Sequence, residues 1–193
     1  MAGKNTNIKK MKIAVSGKSG CGNTTVSRLV SEKLELAFIN FTFRSLAGEK
    51  GLTLAEVMAK AAADDWWDLE VDRRQVAMAQ KAGGCVLGSR LAIWMLKEAD
   101  LKVYLCADPK IRAERIARRE GGTLEQIAAF TMERDRQDRE RYLRIYKIDN
   151  DDYSFADLII DTDTMGIEEI ASAIIDTVYQ RFSNPKRNSN GIF

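Results

Sequence analysis

The chain has 193 residues, of which 45% are hydrophobic and 30% charged, and it contains no histidine. This length predicts one globular domain, and the missing histidine excludes Ser-His and Cys-His nucleophile pairs, His-ligated zinc sites and imidazole acid–base catalysis. Because 30 Lys and Arg residues face 28 Asp and Glu residues, the net charge of +2 is too small for sequence-independent binding to macromolecular nucleic acid.

The two ends of the chain are polar and aperiodic. We expect residues 1–10 and residues 183–193 to be flexible tails around a single domain at 11–182, because only two prolines and no Ser/Gly-rich linker occur. The N-terminus lacks the apolar run of a signal peptide, and no run of about 18 apolar residues occurs. The three cysteines, Cys21, Cys85 and Cys106, are odd in number and lack paired spacing. These features predict a cytoplasmic protein with no membrane association.

Short apolar segments alternate along the chain with longer helical ones. A helix is predicted over Asn23–Leu36, and capping boxes at Thr53–Glu56 and Thr123–Gln126 open two more. Five strands are predicted at Met11–Ser16, Ala37–Asn40, Cys85–Gly88, Leu101–Cys106 and Asp157–Asp161. Strands separated by helices of this length imply parallel crossovers, so we predict an α/β fold of three α/β/α layers with a five-stranded parallel sheet.

A glycine-rich loop follows the first predicted strand and leads into a helix. It matches the phosphate-binding pattern G-x-x-x-x-G-K-[ST] except at Asn23, where the pattern has lysine. Backbone N–H groups and the helix N-terminus suit an anion, although a glycine-rich turn can also be a plain connection. The residues expected to bind ATP are Gly17, Lys18, Ser19, Gly20, Cys21, Gly22, Asn23, Thr24 and Thr25. Thr24 would hold Mg²⁺, and Lys18 is predicted to fold back and replace part of the missing charge.

Arginines are concentrated in one part of the chain. Nine of the sixteen lie between residues 112 and 144, and the pair Gly121-Gly122 within that stretch suits a lid hinge. Arginine binds phosphate oxygens bidentately and stays charged at physiological pH, which suits phosphoryl transfer. At 100° per residue, Arg134, Asp138 and Arg141 share one helix face. The alternative interpretation is a salt-bridged solvent face, which we expect for neighbours such as Arg136.

With these residues assembled, the chain resembles the nucleoside monophosphate kinases, and most closely the cytidylate kinases of the shorter, archaeal-type lineage. The resemblance spans nearly all of residues 11–182. It is carried by GKSGCGNTT, FTFRSLA, LEVDRRQ, GSR followed by LAIWM, ADPKIRAERIARRE, and ERDRQDRERY before YSFADLIIDT. It implies a P-loop fold with an acceptor-binding helical region at about 41–84, an arginine-rich lid at about 115–125, and γ-phosphate transfer from Mg²⁺-ATP to CMP or dCMP. We expect a monomer.

The resemblance also implies roles for individual side chains. It implies that Arg115 and Arg119 are catalytic lid arginines and that Arg134 is catalytic through contact with phosphate. Lys18 is expected to be catalytic on the separate ground that it replaces part of the missing loop charge. Those implied to bind the acceptor are Arg44, Arg90, Arg134, Asp138 and Arg141. Asp138 resembles the carboxylate that accepts a hydrogen bond from the cytosine amino group. A carboxylate at this place would reject uracil, whose O4 is an acceptor.

Two other functions stay open on the sequence alone. One keeps the fold but phosphorylates adenylate, another pyrimidine nucleotide or a small alcohol. The other is a nucleotide-binding regulator that lost turnover when Asn23 replaced the loop lysine, and whose arginine-rich helix binds RNA or a partner. Residues 110–141 hold nine bases and seven acids, a weak electrostatic stripe that disfavours RNA.

Overall fold

The structure is a computed structural model that describes residues 8–183. Its strands are β1 (Lys12–Gly17), β2 (Ala37–Ile39), β3 (Cys85–Gly88), β4 (Leu101–Cys106) and β5 (Leu158–Asp161). They form one sheet in the order β2-β3-β1-β4-β5, and every neighbouring pair is parallel. The predicted five-stranded parallel sheet is confirmed, with each strand boundary within one residue of its predicted position.

Helices cover both faces of the sheet. Those described between residues 8 and 183 are α1 (Asn23–Leu34), α2 (Phe43–Lys50), α3 (Leu54–Ala63), α4 (Trp66–Lys81), α5 (Ala92–Met95), α6 (Pro109–Glu120), α7 (Leu124–Tyr146) and α8 (Ile167–Ser183). Val26 of α1 and Ile174 of α8 meet Val15 of the central strand in one buried cluster. Ile93 of α5 packs against Tyr104 on the opposite face. Successive strand residues point to opposite faces, so the apolar runs of β1 and β4 supply both cores.

Local signals set most of the helix ends. The side chain of Thr53 accepts a hydrogen bond from the backbone N–H of Glu56, and Thr123 does the same for Gln126, which confirms both predicted capping boxes. Helix α1 ends at Leu34, two residues earlier than predicted, because Glu35 takes the left-handed conformation with φ 53°.

The N-terminal tail prediction is wrong for its last residues. The side chain of Ile8 is 4% exposed and packs in the α1/α8 core, and its carbonyl accepts a hydrogen bond from the N–H of Met11. Residues 1–7 and 184–193 of the two predicted tails lie outside the described residues. Among the residues that the structure describes, no helix combines the length and the apolar character needed to cross a bilayer.

Helices α2, α3 and α4 form a small subdomain beside the sheet. It has a core of its own, in which Leu46, Val57, Trp67 and Val71 are buried together. These helices fall within residues 41–84, the segment for which we expect an acceptor-binding role.

A seam of polar side chains joins this subdomain to helix α7. Asp65 forms an ion pair with Arg144, Asp68 lies beside Arg141, and the hydroxyl of Tyr146 donates to Asp72 Oδ2 at 2.7 Å. The three acids are spaced i, i+3 and i+7 and therefore share one face of α4. We call this set of contacts the α4/α7 seam.

The seam gives the fold a specific pH dependence. Burial raises the pKa of Asp72 from its ordinary value of 3.8 to about 6, although the Tyr146 hydroxyl opposes the shift. The unfolded chain therefore loses this proton near pH 4, whereas the folded chain keeps it until about pH 6, so folding becomes less favourable across that window and then levels off. We expect Asp72→Asn, which can still accept from Tyr146, to match the wild type near pH 4 and to be more stable by roughly 1–3 kcal/mol at pH 7.5.

Thermal unfolding of both proteins from pH 4 to 8 measures this difference. Parallel stability curves for the wild type and Asp72→Asn would show that Asp72 keeps an ordinary pKa in the fold.

Candidate active site

The glycine-rich loop lies at the carboxyl end of β1, where neighbouring elements leave no room for a Cβ at two of its glycines. A Cβ on Gly17 would stand 2.6 Å from the carbonyl oxygen of Leu105. Gly20 has φ 89°, and a Cβ there would approach Arg112 to 2.8 Å. Two glycines of the motif are therefore required by close packing against β4 and α6 as well as by the turn itself.

The side chain at the lysine position of the motif is engaged within its own helix. Asn23 Oδ1 accepts a hydrogen bond from the hydroxyl of Ser27, 3.2 Å away on the next turn of α1. Its neighbour Thr24 is exposed, and the Thr24 hydroxyl accepts a long hydrogen bond of 3.3 Å from Asn40 Nδ2. The loop thus carries an exposed hydroxyl at the metal position of the motif, but Asn23 adds no positive charge.

Three arginines from other elements contact the loop instead. Arg90, which follows β3, donates to the hydroxyl of Ser19 at 2.8 Å. Arg112 of α6 donates to the carbonyl oxygen of Ser19 at 3.1 Å. Arg115 donates to the carbonyl oxygen of Gly20 at 3.4 Å. Guanidinium groups from outside the motif therefore fix the loop and supply positive charge around it.

Arg112 was missed by sequence reasoning. Its side chain is 5% exposed and forms an ion pair of 2.6 Å with Asp135 of α7. The pair thereby ties both arms of the α6/α7 hairpin to Ser19. No local signal connects two residues 23 positions apart, and the contact exists only because the hairpin folds back at Gly121 and Gly122, which have φ 83° and 94°.

The two expected lid arginines occupy different environments. Besides Gly20, Arg115 also binds the hydroxyl and the carbonyl oxygen of Thr162 beyond β5, so it ties the loop to the end of the sheet. Arg119 is exposed near the hairpin tip and pairs with Glu120. A role for Arg119 in closing over a nucleotide stays a prediction.

The carboxylate of Asp138 lies at the centre of a charged cluster. It is 7% exposed, and its two oxygens bind Arg90 at 2.7 Å and Arg141 at 2.8 Å. Burial lowers the pKa of Arg90, but the charge of Asp138 and the neighbouring Tyr142 together outweigh burial, and the pKa is raised. Arg90 joins this cluster to the loop, because its other nitrogen binds Ser19.

Arg134 lies one helical turn before Asp138 and differs from its neighbours. Burial and then the nearby positive charge of Arg90 lower its pKa, and its guanidinium forms no ion pair with any carboxylate in residues 8–183. A partly buried cation beside another cation is unfavourable unless an anion arrives. The arrangement therefore fits a bound phosphate.

The loop and the cluster face one cleft. Its walls are formed by Gly17, Lys18, Arg90, Tyr104, Asp135, Asp138 and Asn150. Lys18 reaches the cleft and is held by Asp151, with 2.5 Å between Nζ and the carboxylate. Arg44, in the first turn of α2, is exposed and forms no ion pair among the described residues. Of the predicted residues, the structure brings together Lys18, Arg90, Arg134, Asp138 and Arg141, and it leaves Arg44 and Arg119 outside this group.

Comparison with known proteins gives consistent relatives. A family model described as "Cytidylate kinase-like family" matches residues 12–164. A protein named cytidylate kinase 2 from Borrelia garinii is 46% identical over 175 residues, which cover 89% of this chain and 98% of the relative. A cytidylate kinase from Pyrococcus horikoshii is 44% identical over 172 residues, which cover 86% of this chain and 89% of the relative.

Solved structures show the same fold at low identity. Shikimate kinase from Acinetobacter baumannii superposes with a TM-score of 0.63 at 17% identity, covering 92% of this chain and 98% of that one. Deoxyadenosine kinase from M. mycoides superposes with a TM-score of 0.56 at 17% identity, covering 87% of this chain and 99% of that one. The P-loop kinase fold expected from the sequence is confirmed.

Proposed function

Because the chain belongs to the cytidylate kinase-like family, we propose that it transfers the γ-phosphate of ATP to CMP or dCMP, giving ADP and CDP or dCDP. The observation that carries this proposal is Arg90. One end of its guanidinium binds the phosphate loop at Ser19, and the other binds the buried carboxylate of Asp138. A donor site and an acceptor site joined by one arginine along one cleft suit direct transfer between two nucleotides.

The reaction proceeds by positioning and charge neutralisation. An oxygen of the CMP phosphate attacks the γ-phosphorus in line with the departing ADP, and several negative charges meet as it does so. Arg90 lies close enough to Arg134 to lower its pKa, and the Arg134 guanidinium has no ion pair with a carboxylate in residues 8–183, so it is available to a phosphate. Because this transition state needs no tuned general base, a chain without histidine can carry it out.

Mg²⁺ fits the part of the cleft at the phosphate loop, where ATP is expected to bind. Mg²⁺ prefers oxygen ligands, keeps several waters and uses substrate phosphates as ligands, so an oxygen atom exposed at the loop is a suitable protein ligand. The exposed hydroxyl of Thr24, in the first turn of α1, meets this requirement, and Asn40 orients it. When bound, the ion would neutralise part of the negative charge of the ATP phosphates.

Base selection falls to Asp138. The cytosine edge presents an amino donor, which a carboxylate accepts, whereas uracil presents a carbonyl oxygen that the same carboxylate repels. Asp138 is fixed on both sides by Arg90 and Arg141, so its orientation does not have to be set at each binding event.

We expect Lys18 to supply part of the charge that Asn23 lacks. In this structure Lys18 is paired with Asp151 at the cleft, and the ATP phosphates would compete for it as a stronger anion. Lys18→Ala is expected to lower kcat/KM for ATP about tenfold to a hundredfold, the effect of losing one charged hydrogen bond.

The matched control is Lys33→Ala, because Lys33 lies at the far end of α1 and pairs with Glu168 on the surface. Steady-state kinetics with varied ATP measures both variants. Unchanged turnover and unchanged ATP affinity in Lys18→Ala would refute this role.

One observation favours a second candidate, the non-catalytic nucleotide-binding regulator. Asn23 replaces the loop lysine and its side chain is engaged with Ser27, so the motif lacks its own catalytic cation. An assay of ADP release with ATP and CMP separates the two functions. CMP-dependent ADP release supports the kinase, whereas ATP binding without CMP-dependent release supports the regulator.

We also propose that the enzyme is a cytoplasmic monomer. Burial raises the pKa of the Cys21 thiol and of the Cys85 thiol to about 11, so both stay protonated and inert, as is usual for free thiols in a reducing compartment. Size-exclusion chromatography with light scattering tests the oligomeric state.

A further inference from the structure

The buried carboxylate of Asp68 is only partly satisfied by the protein. Asp68 is the third residue of α4 and is 6% exposed. Its Oδ1 atom lies 3.1 Å from Arg141 Nε, whereas its Oδ2 atom is buried and has no hydrogen-bond partner among the described residues. Arg141 Nε is itself without a well-aligned acceptor. Buried polar atoms are normally paired, so an unsatisfied oxygen beside an unsatisfied donor calls for an explanation.

The neighbouring acids of the α4/α7 seam are satisfied, which singles out Asp68. Asp65, one turn earlier, has an ion pair with Arg144. Asp72, one turn later, accepts from Tyr146. The three contacts across the seam join side chains, so a planar base entering there would break no backbone hydrogen bond between α4 and α7 among the described residues.

Arg141 brings Asp68 next to Asp138. Its Nε atom faces Asp68, and its Nη2 atom binds Asp138 at 2.8 Å. Arginine can present Nε and one terminal nitrogen along the same edge of its planar group, which places the two carboxylates side by side. Burial raises the pKa of Asp68, Arg141 opposes the shift, and the charge of Asp138 adds to it, as expected for acids in close proximity.

Two adjacent carboxylates and one guanidinium edge match the hydrogen-bonding edge of cytosine. The exocyclic amino group has two hydrogens, so it can donate to two acceptors at once, and the adjacent ring nitrogen N3 accepts. We propose that Asp68 is a second base-selecting residue: its free oxygen accepts one hydrogen of the amino group while Asp138 accepts the other, and Arg141 donates to N3. This inference rests on the proposed function and extends it from one selecting residue to two.

A modified substrate tests the inference in the unaltered enzyme. In N4-methyl-CMP one amino hydrogen is replaced, so one of the two hydrogen bonds is lost whichever way the methyl group points. We expect kcat/KM to be at least about tenfold lower for N4-methyl-CMP than for CMP, as for the loss of a charged hydrogen bond. Equal efficiency with the two substrates would overturn the inference, and this result does not depend on whether any variant folds.

Variants then assign the effect to Asp68. Asp68→Ala leaves space on one side of the amino group, so kcat/KM for CMP should exceed that for N4-methyl-CMP by only about threefold or less. Asp68→Asn offers an amide donor that suits the uracil O4, so the ratio of kcat/KM for CMP to that for UMP should fall at least about tenfold. The ratio for CMP to dCMP should not change. The inference is contradicted if Asp68→Ala keeps the full difference in kcat/KM between CMP and N4-methyl-CMP. It is also contradicted if Asp68→Asn changes the CMP-to-dCMP ratio while the CMP-to-UMP ratio stays constant.

The matched control is Asp72→Asn, which alters a buried acid on the same face of α4 and should leave the CMP-to-UMP ratio unchanged. The two proposals fail differently in these assays. If the wild type does not phosphorylate CMP, the proposed function is wrong. If the wild type phosphorylates CMP selectively and the Asp68 variants keep its selectivity, only the role of Asp68 is wrong.

Discussion

Replacing Arg134 by alanine is expected to lower kcat with CMP and ATP about 10²- to 10³-fold, which corresponds to the loss of one preorganised donor to the transition state. The same change should leave the Tm of the nucleotide-free protein equal or higher. The physical reason for this second effect is the unfavourable position of Arg134, partly buried, close to the charge of Arg90 and without an ion pair among residues 8–183. A cation held at a cost to the fold is expected to act on a bound anion.

The matched control for Arg134→Ala lies on the same helix. Arg136 is exposed and pairs with Glu133 and Glu140, so Arg136→Ala should keep its activity within about twofold. Steady-state kinetics and thermal unfolding of the two variants give both readouts. A fall in Tm with little change in kcat for Arg134→Ala would mean that Arg134 serves the fold and not the reaction.

The second large effect is expected at Asp138. Asp138→Asn retains the volume of the side chain but replaces an acceptor by an amide, so kcat/KM for CMP should fall about 10²-fold while that for UMP falls much less. The ratio between the two substrates is the decisive quantity. Its change separates base recognition from a general loss of structure, which we also expect because Arg90 and Arg141 would lose their shared partner.

Glu140→Gln is the control for Asp138→Asn. Glu140 lies between Asp138 and Arg141 in the chain, but its side chain is on the exposed side of α7 and pairs with Arg136. The Glu140→Gln variant should retain the wild-type activity and the wild-type ratio of kcat/KM for CMP to that for UMP. An equal loss of kcat/KM for CMP and for UMP in Asp138→Asn would remove Asp138 from base selection.

The sheet could be predicted from the sequence because its signals are local. Each strand is a short apolar or β-branched run, and Thr53 and Thr123 mark helix starts through a spacing of three residues. Ile8 was wrongly assigned to the tail, because a single apolar residue among polar neighbours gives no periodicity. Its burial is decided by the tertiary contact with α1 and α8.

The site was predictable to the extent that its residues lie on one element. Arg134, Asp138 and Arg141 follow helical spacing, and the structure does place Asp138 between Arg90 and Arg141. Arg112 forms an ion pair with Asp135, and Arg115 forms hydrogen bonds with Thr162. Because both contacts join residues far apart in the chain, no local sequence pattern predicts them. The resemblance implies a lid role for Arg115, and the structure shows that arginine bound to Gly20 and Thr162; its role in closing over a nucleotide stays a prediction.

The most direct test of the central claim is a competition experiment with the wild-type enzyme. CMP, UMP, AMP and GMP are mixed at equal concentrations with Mg²⁺ and ATP, and the nucleoside diphosphates are separated by ion-exchange chromatography over time. The AMP is isotope-labelled, so that the ADP formed from it is distinguished from the ADP released by the donor. CDP is predicted to form first and to predominate. Formation of another diphosphate ahead of CDP, or no phosphorylated acceptor at all, would contradict the assignment of this cleft to phosphoryl transfer onto cytidine nucleotides.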